Sequence, residues 1–359
     1  MACTCSEASY NFAAGPSPLP ADVRVALREA LVEQGPLEQP FGAAAVRQMQ
    51  EEVEQDLRAM LPLPDHYHVL FLQGGASAQF ALLPLNLLAP DQSAGYLESG
   101  HWARKAIAEA RRHAPLKVIA SGAGMNFRAL PPVETWQLDA DMGYCHVTSN
   151  ETGDGLQLHE FPELPVPLVA DMSSDFLTRP LPLERFGLIY ASAQKNLGIA
   201  GLCLVIVRDD LLRPPRPGLP SVFSYALQAE ANSRLNTPPL HALHCAGSML
   251  RWIARQGGLA AIAALGLEKS RKLYRCIDGS DLYLCPQHTT DRSRVNVCFQ
   301  LSEERLLPLF LSSAERHGLL NLHGHPALGG VRASLYNAMP LAGVDQLVEF
   351  MTAFERQHG

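Results

Sequence analysis

The stretch "LIYASAQKNLGIAGLCLVIV", residues 188–207, decides the fold of this chain. Its two apolar runs, 188–193 and 202–207, have the length and composition of buried strands. Between them stands one charged side chain, Lys195, crowded by small residues. Lysine is almost never fully buried without a partner. Lys195 therefore faces solvent from a strand end or does chemistry there.

Outward from this stretch, apolar runs alternate with helical patterns, which predicts βαβ units and a mostly parallel sheet. "YHVLFLQ" (67–73) reads as a strand and "GGASAQFALLPLNLL" (74–88) as the turn and helix after it. "LVADMSS" (168–174) reads as another strand. The segment 236–258 opens on a Thr-Pro helix start and closes on Gly257–Gly258, a candidate hinge before a connecting helix at 259–275. The strand pattern at 294–300 and the helix pattern at 344–357 then form a small α/β unit. The expected organisation is a large domain at 16–258 and a small C-terminal domain at 259–359, joined by the segment 1–15.

The 359 residues carry a net charge of −7 and no run of Lys or Arg, which argues against a nucleic-acid partner. Gly, Pro or charge interrupts every apolar stretch before ~18 residues, so no membrane-spanning helix is expected. "MACTCSEASY" (1–10) lacks a basic region and an apolar signal core, which points to the cytoplasm. The eight cysteines are scattered, as expected of reduced thiols. Cys3 and Cys5 have no second pair at zinc spacing, and His241 and His244 have no third ligand in register, so no metal site is expected.

Chemistry-bearing residues fall where strands end, the edge at which open α/β sheets bind ligands. Lys195 and Asp171 each follow an apolar strand. Gly74 and Gly75 precede a helix whose first turn offers free N–H groups to an anion. Trp102 lies just ahead of an amphipathic helix. Pyridoxal phosphate needs an amine for its Schiff base, a carboxylate at its pyridine nitrogen, a flat surface and an anion site. A desolvated lysine also loses its proton more readily. Taken singly, Asp171 also fits a turn or helix cap and Trp102 a core position.

The chain resembles the phosphoserine aminotransferase family, class V and fold type I, along nearly its whole length. The resemblance lies in "NFAAGPSPLP" (11–20), "VLFLQGGASAQF" (69–80), "SGHWARKAI" (99–107) and "NETGDGLQ" (150–157). It continues in "VADMSSDFLTRP" (169–180), "YASAQKNLGIAGLCLVIVRDDLL" (190–212), "LNTPP" (235–239) and "GGVRASLYNAMPL" (329–341). It implies a seven-stranded, mostly parallel sheet and a pyridoxal-phosphate transaminase working between glutamate and 3-phosphohydroxypyruvate in serine biosynthesis. By position, Lys195 matches the cofactor lysine and proton carrier, Asp171 the pyridinium partner and Trp102 the stacking ring. Thr152 matches the hydroxyl at the ring oxygen. Ala76, Ser77 and Gln194 match the phosphate site, and Asn236 and Thr237 a pair reaching it from a partner subunit, which implies a homodimer. Arg332 matches the clamp on the substrate carboxylate.

Two segments depart from the family pattern. Family members usually carry "SHRG" where this chain reads "GPLEQPFGAAAVRQMQ" (35–50), about five residues shorter. Phe41 and Gly42 stand nearest the histidine and arginine that help bind the substrate phosphate, and Arg47 is the closest arginine. A family His-Arg pair is here His325-Pro326, and Ala14 replaces a serine. Losing one charge-assisted hydrogen bond costs roughly 1.5–3 kcal/mol. The departures therefore predict weakened phosphate recognition, with His323 and His325 left as contacts, and an alternative amino acceptor without a phosphate. Two further readings are a desulfurase using Cys285 and a non-catalytic cofactor-binding protein.

Overall fold

A computed structural model describes residues 9–32 and 35–359 of the chain. Cys3 and Cys5 lie outside the described residues. In chain order the main elements begin with α1 (Ala21–Val32), α2 (Ala44–Met60), β1 (Tyr67–Leu72), α3 (Gly75–Leu87), β2 (Ala94–Glu98) and α4 (His101–Ala110). Strands β3 (Leu116–Ser121), β4 (Tyr144–Thr148), β5 (Leu168–Asp171), β6 (Phe186–Ser192) and β7 (Cys203–Arg208) follow. Next come α5 (Tyr225–Glu230), α6 (Leu240–Arg255), α7 (Gly258–Asp278), β8 (Tyr283–Leu284) and β9 (Asn296–Leu301). The chain closes with α8 (Leu307–Arg316), β10 (His323–His325), β11 (Gly329–Ser334) and α9 (Leu341–His358).

Seven strands form one sheet in the order β1-β7-β6-β5-β4-β2-β3. All pairings are parallel except those of β7, which runs antiparallel to β1 and β6. Strand β6 shows why the opening stretch is apolar throughout. Ile189 and Ala191 pack on one face with α2 and α6, and Leu188 and Tyr190 on the other with α3 and α4. A sheet covered on both faces leaves no position for a polar side chain until the strand ends. Lys195 lies just past that end.

A second sheet, β8-β9-β11-β10, is antiparallel. Its core joins Val297, Phe299 and Val331 to Leu273 of α7, Phe310 of α8 and Phe350 and Phe354 of α9. The N-terminal segment belongs to this core: Tyr10–Asn11 pairs parallel with Leu319–Leu320, and Phe12 is fully buried there.

Several boundaries differ from the sequence reading for local reasons. The strand expected at 168–174 stops at Asp171, whose Oδ1 accepts the Ser173 N–H at 2.9 Å and turns the chain. The helix expected from 236 starts at Leu240, because Pro238 and Pro239 keep Asn236 and Thr237 in the preceding loop. Helix α7 runs from Gly258 to Asp278, longer at its end than the expected 259–275.

Candidate active site

The ends of β4, β5 and β6, the starts of α3 and α4, and strands β10 and β11 of the second sheet enclose a cavity of about 450 Å³. It is lined by Lys195, Asp171, Trp102, Thr152, Ala76, Ser77, Gln194, Arg332 and His325. Asn236 and Thr237 are elsewhere. They line a second cavity of about 360 Å³ that shares only Gly74 with the first. Among the departures, Ala14 lines the first cavity, but Phe41, Gly42, Arg47 and His323 do not. Arg47 sits in the first turn of α2, with its guanidinium on the Gly42 carbonyl.

The turn that carries Lys195 is braced from two sides. Ala193 N–H bonds to Leu202 O at 3.0 Å, across to β7. Ser17 donates its N–H to Gln194 O at 2.9 Å and its hydroxyl to the Lys195 carbonyl. The backbone is therefore fixed while the ammonium stays free in the cavity. Burial pushes the Lys195 pKa below the ordinary lysine value; Asp171 opposes this shift and Arg332 adds to it. Burial likewise raises the Asp171 carboxyl, and the Lys195 charge pulls it back. The two groups lower each other's cost of being charged.

Gly74 takes φ of +93°, a left-handed value that turns β1 directly into α3. The first N–H groups of α3 then face the cavity without helical partners. Ala76 N–H is met by the Ser192 hydroxyl at 2.7 Å. Thr148 Oγ1, at the end of β4, lines the same cavity and is buried without a hydrogen-bond partner. An orphaned buried hydroxyl beside an amine, a carboxylate, an indole and a helix start fits a flat polar ring that carries a phosphate. Thr148 and Ser192 escaped the sequence reading, since hydroxyl residues inside strands carry no pattern of their own.

Trp102 is held by a device that also escaped it. Its Nε1 donates to Thr152 Oγ1 at 2.8 Å, and its ring centroid lies 5.8 Å from Lys195 Nζ. The N-cap of helix α4 is Gly100, which has no side chain to bond the first turn. Two buried carboxylates from the Asn150–Gln157 hairpin replace the cap. Asp154 accepts the His101 N–H at 2.9 Å, and Glu151 accepts those of Trp102 at 2.8 Å and Ala103 at 2.9 Å. A Cβ on Gly100 would lie 2.6 Å from Asp154 Oδ2 and 2.7 Å from Glu151 Cδ, so only glycine permits this approach.

Burial, then Asp154 beside it, pushes the Glu151 carboxyl up to about 8, against the pull of the helix-start donors. The folded pair thus keeps a proton that the unfolded chain has lost between pH 4.5 and about 8. Stability should fall as pH rises through that window, by at most ~1.4 kcal/mol per pH unit. Glu151→Gln removes the titration. Thermal unfolding of both proteins across the window checks this: the variant's curve should be the flatter, and parallel curves would refute the shared proton.

The competing sites find no support. Burial raises the thiol pKa of Cys285, whose Sγ faces Gln287 Oε1 at 3.2 Å, away from the main cavity. No group of three or more His, Cys, Asp or Glu among the described residues is placed to hold a metal ion. No described helix is long and apolar enough to cross a membrane.

The sequence profile of class-V aminotransferases matches residues 9–347. Phosphoserine aminotransferase of Laribacter hongkongensis is 48% identical over 356 residues, covering 98% of this chain and 99% of that protein. The chain belongs to the phosphoserine aminotransferase family. Members of known structure agree with the fold closely. The enzyme from Bacillus circulans subsp. alkalophilus superposes with a TM-score of 0.95 at 40% identity, over 99% of this chain and 100% of that one. The pyridoxal-phosphate-bound enzyme from Trichomonas vaginalis gives 0.92 at 35% identity, over 96% and 100%. The family's seven-stranded architecture is thus present, and the chain is a pyridoxal-phosphate-dependent transaminase acting on amino and 2-oxo acids.

Proposed function

We propose that this enzyme transfers the amino group of glutamate to 3-phosphohydroxypyruvate, forming O-phosphoserine and 2-oxoglutarate for serine biosynthesis. The observation that carries the reading is the convergence of Lys195, Asp171 and Arg332 on one cavity wall-to-wall with Trp102. Bound pyridoxal phosphate supplies an electrophilic carbon and an electron sink. Lys195, its proton loosened by burial, is the amine that attaches the cofactor and then moves a proton to and from the substrate α-carbon. Asp171 holds a negative charge for the pyridine nitrogen. Trp102 and Thr152, already bonded to each other, present a flat face and a hydroxyl to the ring. Gly75, Ala76 and Ser77 at the start of α3, with Gln194, receive the cofactor phosphate. Arg332, whose NH1 also reaches Thr152 O at 3.3 Å, clamps the α-carboxylate with its planar fork.

The same reading makes the enzyme a cytoplasmic homodimer of two domains, 16–258 and 259–359, hinged at Gly257–Gly258. Three half-exposed apolar side chains, Val222, Phe223 and Leu235, surround or adjoin the Asn236–Thr237 cavity, a surface suited to a second subunit. Through it Asn236 and Thr237 would reach the partner's cofactor phosphate. The six described cysteines are all free, as a reducing compartment requires.

The test is the purified enzyme with glutamate and a panel of 2-oxo acids. Under this proposal 3-phosphohydroxypyruvate gives the highest kcat/KM. A higher value for an unphosphorylated acceptor would replace it with the alternative acceptor that the altered 35–50 and 325–326 segments suggest.

A further inference from the structure

Lys195 and Arg332 come from different sheets. Lys195 follows β6 of the seven-stranded sheet, and Arg332 lies on β11 of the four-stranded one. Transamination needs both groups on one small substrate, so something in the fold has to fix their register.

The segment 335–339, between β11 and α9, connects them. Asn337 donates its N–H to Asn196 Oδ1 at 3.0 Å and its Nδ2 to Leu177 O at 2.8 Å. Asn196 directly follows Lys195, and its own Nδ2 donates to Ser174 O at 2.9 Å, in the turn after Asp171. On the same segment the Tyr336 hydroxyl donates at 2.6 Å to the carbonyl of Ala14, a residue of the cavity wall.

Three carbonyls of this segment, those of Leu335, Tyr336 and Met339, converge on one ammonium. Lys269 of α7, only 1% exposed, donates to them at 3.1, 3.0 and 3.0 Å. These bonds use all three of its donors, and burial alone shifts its pKa, so no carboxylate competes for them. An apolar residue here would leave three buried carbonyls without donors. Lys269 does not line the cavity, and the chemistry described above makes no use of it. We propose that Lys269, the segment 335–339 and Asn196 form a latch that keeps Arg332 in register with Lys195, with Lys269 and Asn196 as positioning residues. This inference rests on the roles assigned above to Lys195 and Arg332.

The latch acts on alignment and not on attachment of the cofactor. Ser17 and Leu202 still brace the lysine turn when it is cut, and Glu151 still holds the helix start that carries Trp102. Turnover should therefore fall while cofactor affinity stays. Cutting at Lys269 or at Asn196 breaks the same connection, so the second cut has little left to release.

The experiment follows the half-reaction with glutamate, by the visible absorbance of the lysine-bound cofactor, well below the Tm of each holoenzyme. Asn196→Ala and Lys269→Met should each lower kcat/KM about tenfold, with the cofactor Kd within about twofold of wild type. The double variant should stay within about threefold of the lower single one, whereas independent effects would multiply to about a hundredfold. A hundredfold loss in the double variant, or cofactor affinity falling in step with turnover, would make the two residues separate structural supports and overturn the latch. If Lys269→Met does not fold, Asn196→Ala decides alone, and wild-type kcat/KM in that variant overturns the latch. Arg332→Ala is the reference: wild-type kcat/KM there would overturn the roles on which the latch rests, and the latch with them.

Discussion

Lys195→Ala should lower the kcat of transamination by ~10⁴-fold, the full range of a positioned acid–base group. It should also abolish the visible absorbance of lysine-bound cofactor. The size of the effect follows from two roles meeting in one amine, covalent attachment and proton transfer. No neighbour can substitute. Arg332 is the other permanent cation in the cavity, and a guanidinium does not give up its proton. The turn should survive the change, because Ser17 and Leu202 hold its backbone and make no use of the ammonium. A Tm close to that of the wild type would separate lost chemistry from lost fold. Substantial residual turnover with an intact fold would remove Lys195 from its assigned role.

The second large effect concerns Arg332→Ala. Truncating one partner of a desolvated charge pair costs about 2–5 kcal/mol, or roughly 30- to 5,000-fold in kcat/KM. Both half-reactions should suffer, because glutamate and the 2-oxo acid share only the carboxylate that Arg332 clamps. Arg332→Lys should recover little, since an ammonium cannot offer the two parallel donors of the fork. A loss confined to one substrate would contradict the assignment of Arg332 to the α-carboxylate.

Much of the site was legible because it lies at strand ends. There the apolar pattern must stop, and a polar residue that follows stands at the sheet edge; Lys195 and Asp171 both announce themselves in this way. Charges that support others from a distance left no such mark. Glu151 and Asp154 had no role of their own in the sequence reading, although they complete a helix start that Gly100 leaves uncapped. The fold was legible in part: the strands read at 67–73, 188–193 and 202–207 lie within two residues of β1, β6 and β7, whereas β2, β3 and β4 had no reading of their own. Its misplaced edges trace to the side chain of Asp171 and to Pro238–Pro239, where local geometry overrode the apolar pattern.

Reductive trapping tests the central assignment most directly. Borohydride reduction of the cofactor-loaded enzyme, followed by peptide mass spectrometry, identifies the lysine that carries the cofactor. The chain contains a natural control in Lys269, a second buried lysine. Its Nζ donates to the carbonyls of Leu335, Tyr336 and Met339 at 3.0–3.1 Å, and burial pushes its pKa down to about 8. Low pKa alone would make either lysine a candidate, but only Lys195 opens into the cavity with Asp171 and Trp102. The account predicts a pyridoxyl phosphate adduct on Lys195 and none on Lys269. An adduct on Lys269, or an enzyme active with no adduct on Lys195, would contradict it.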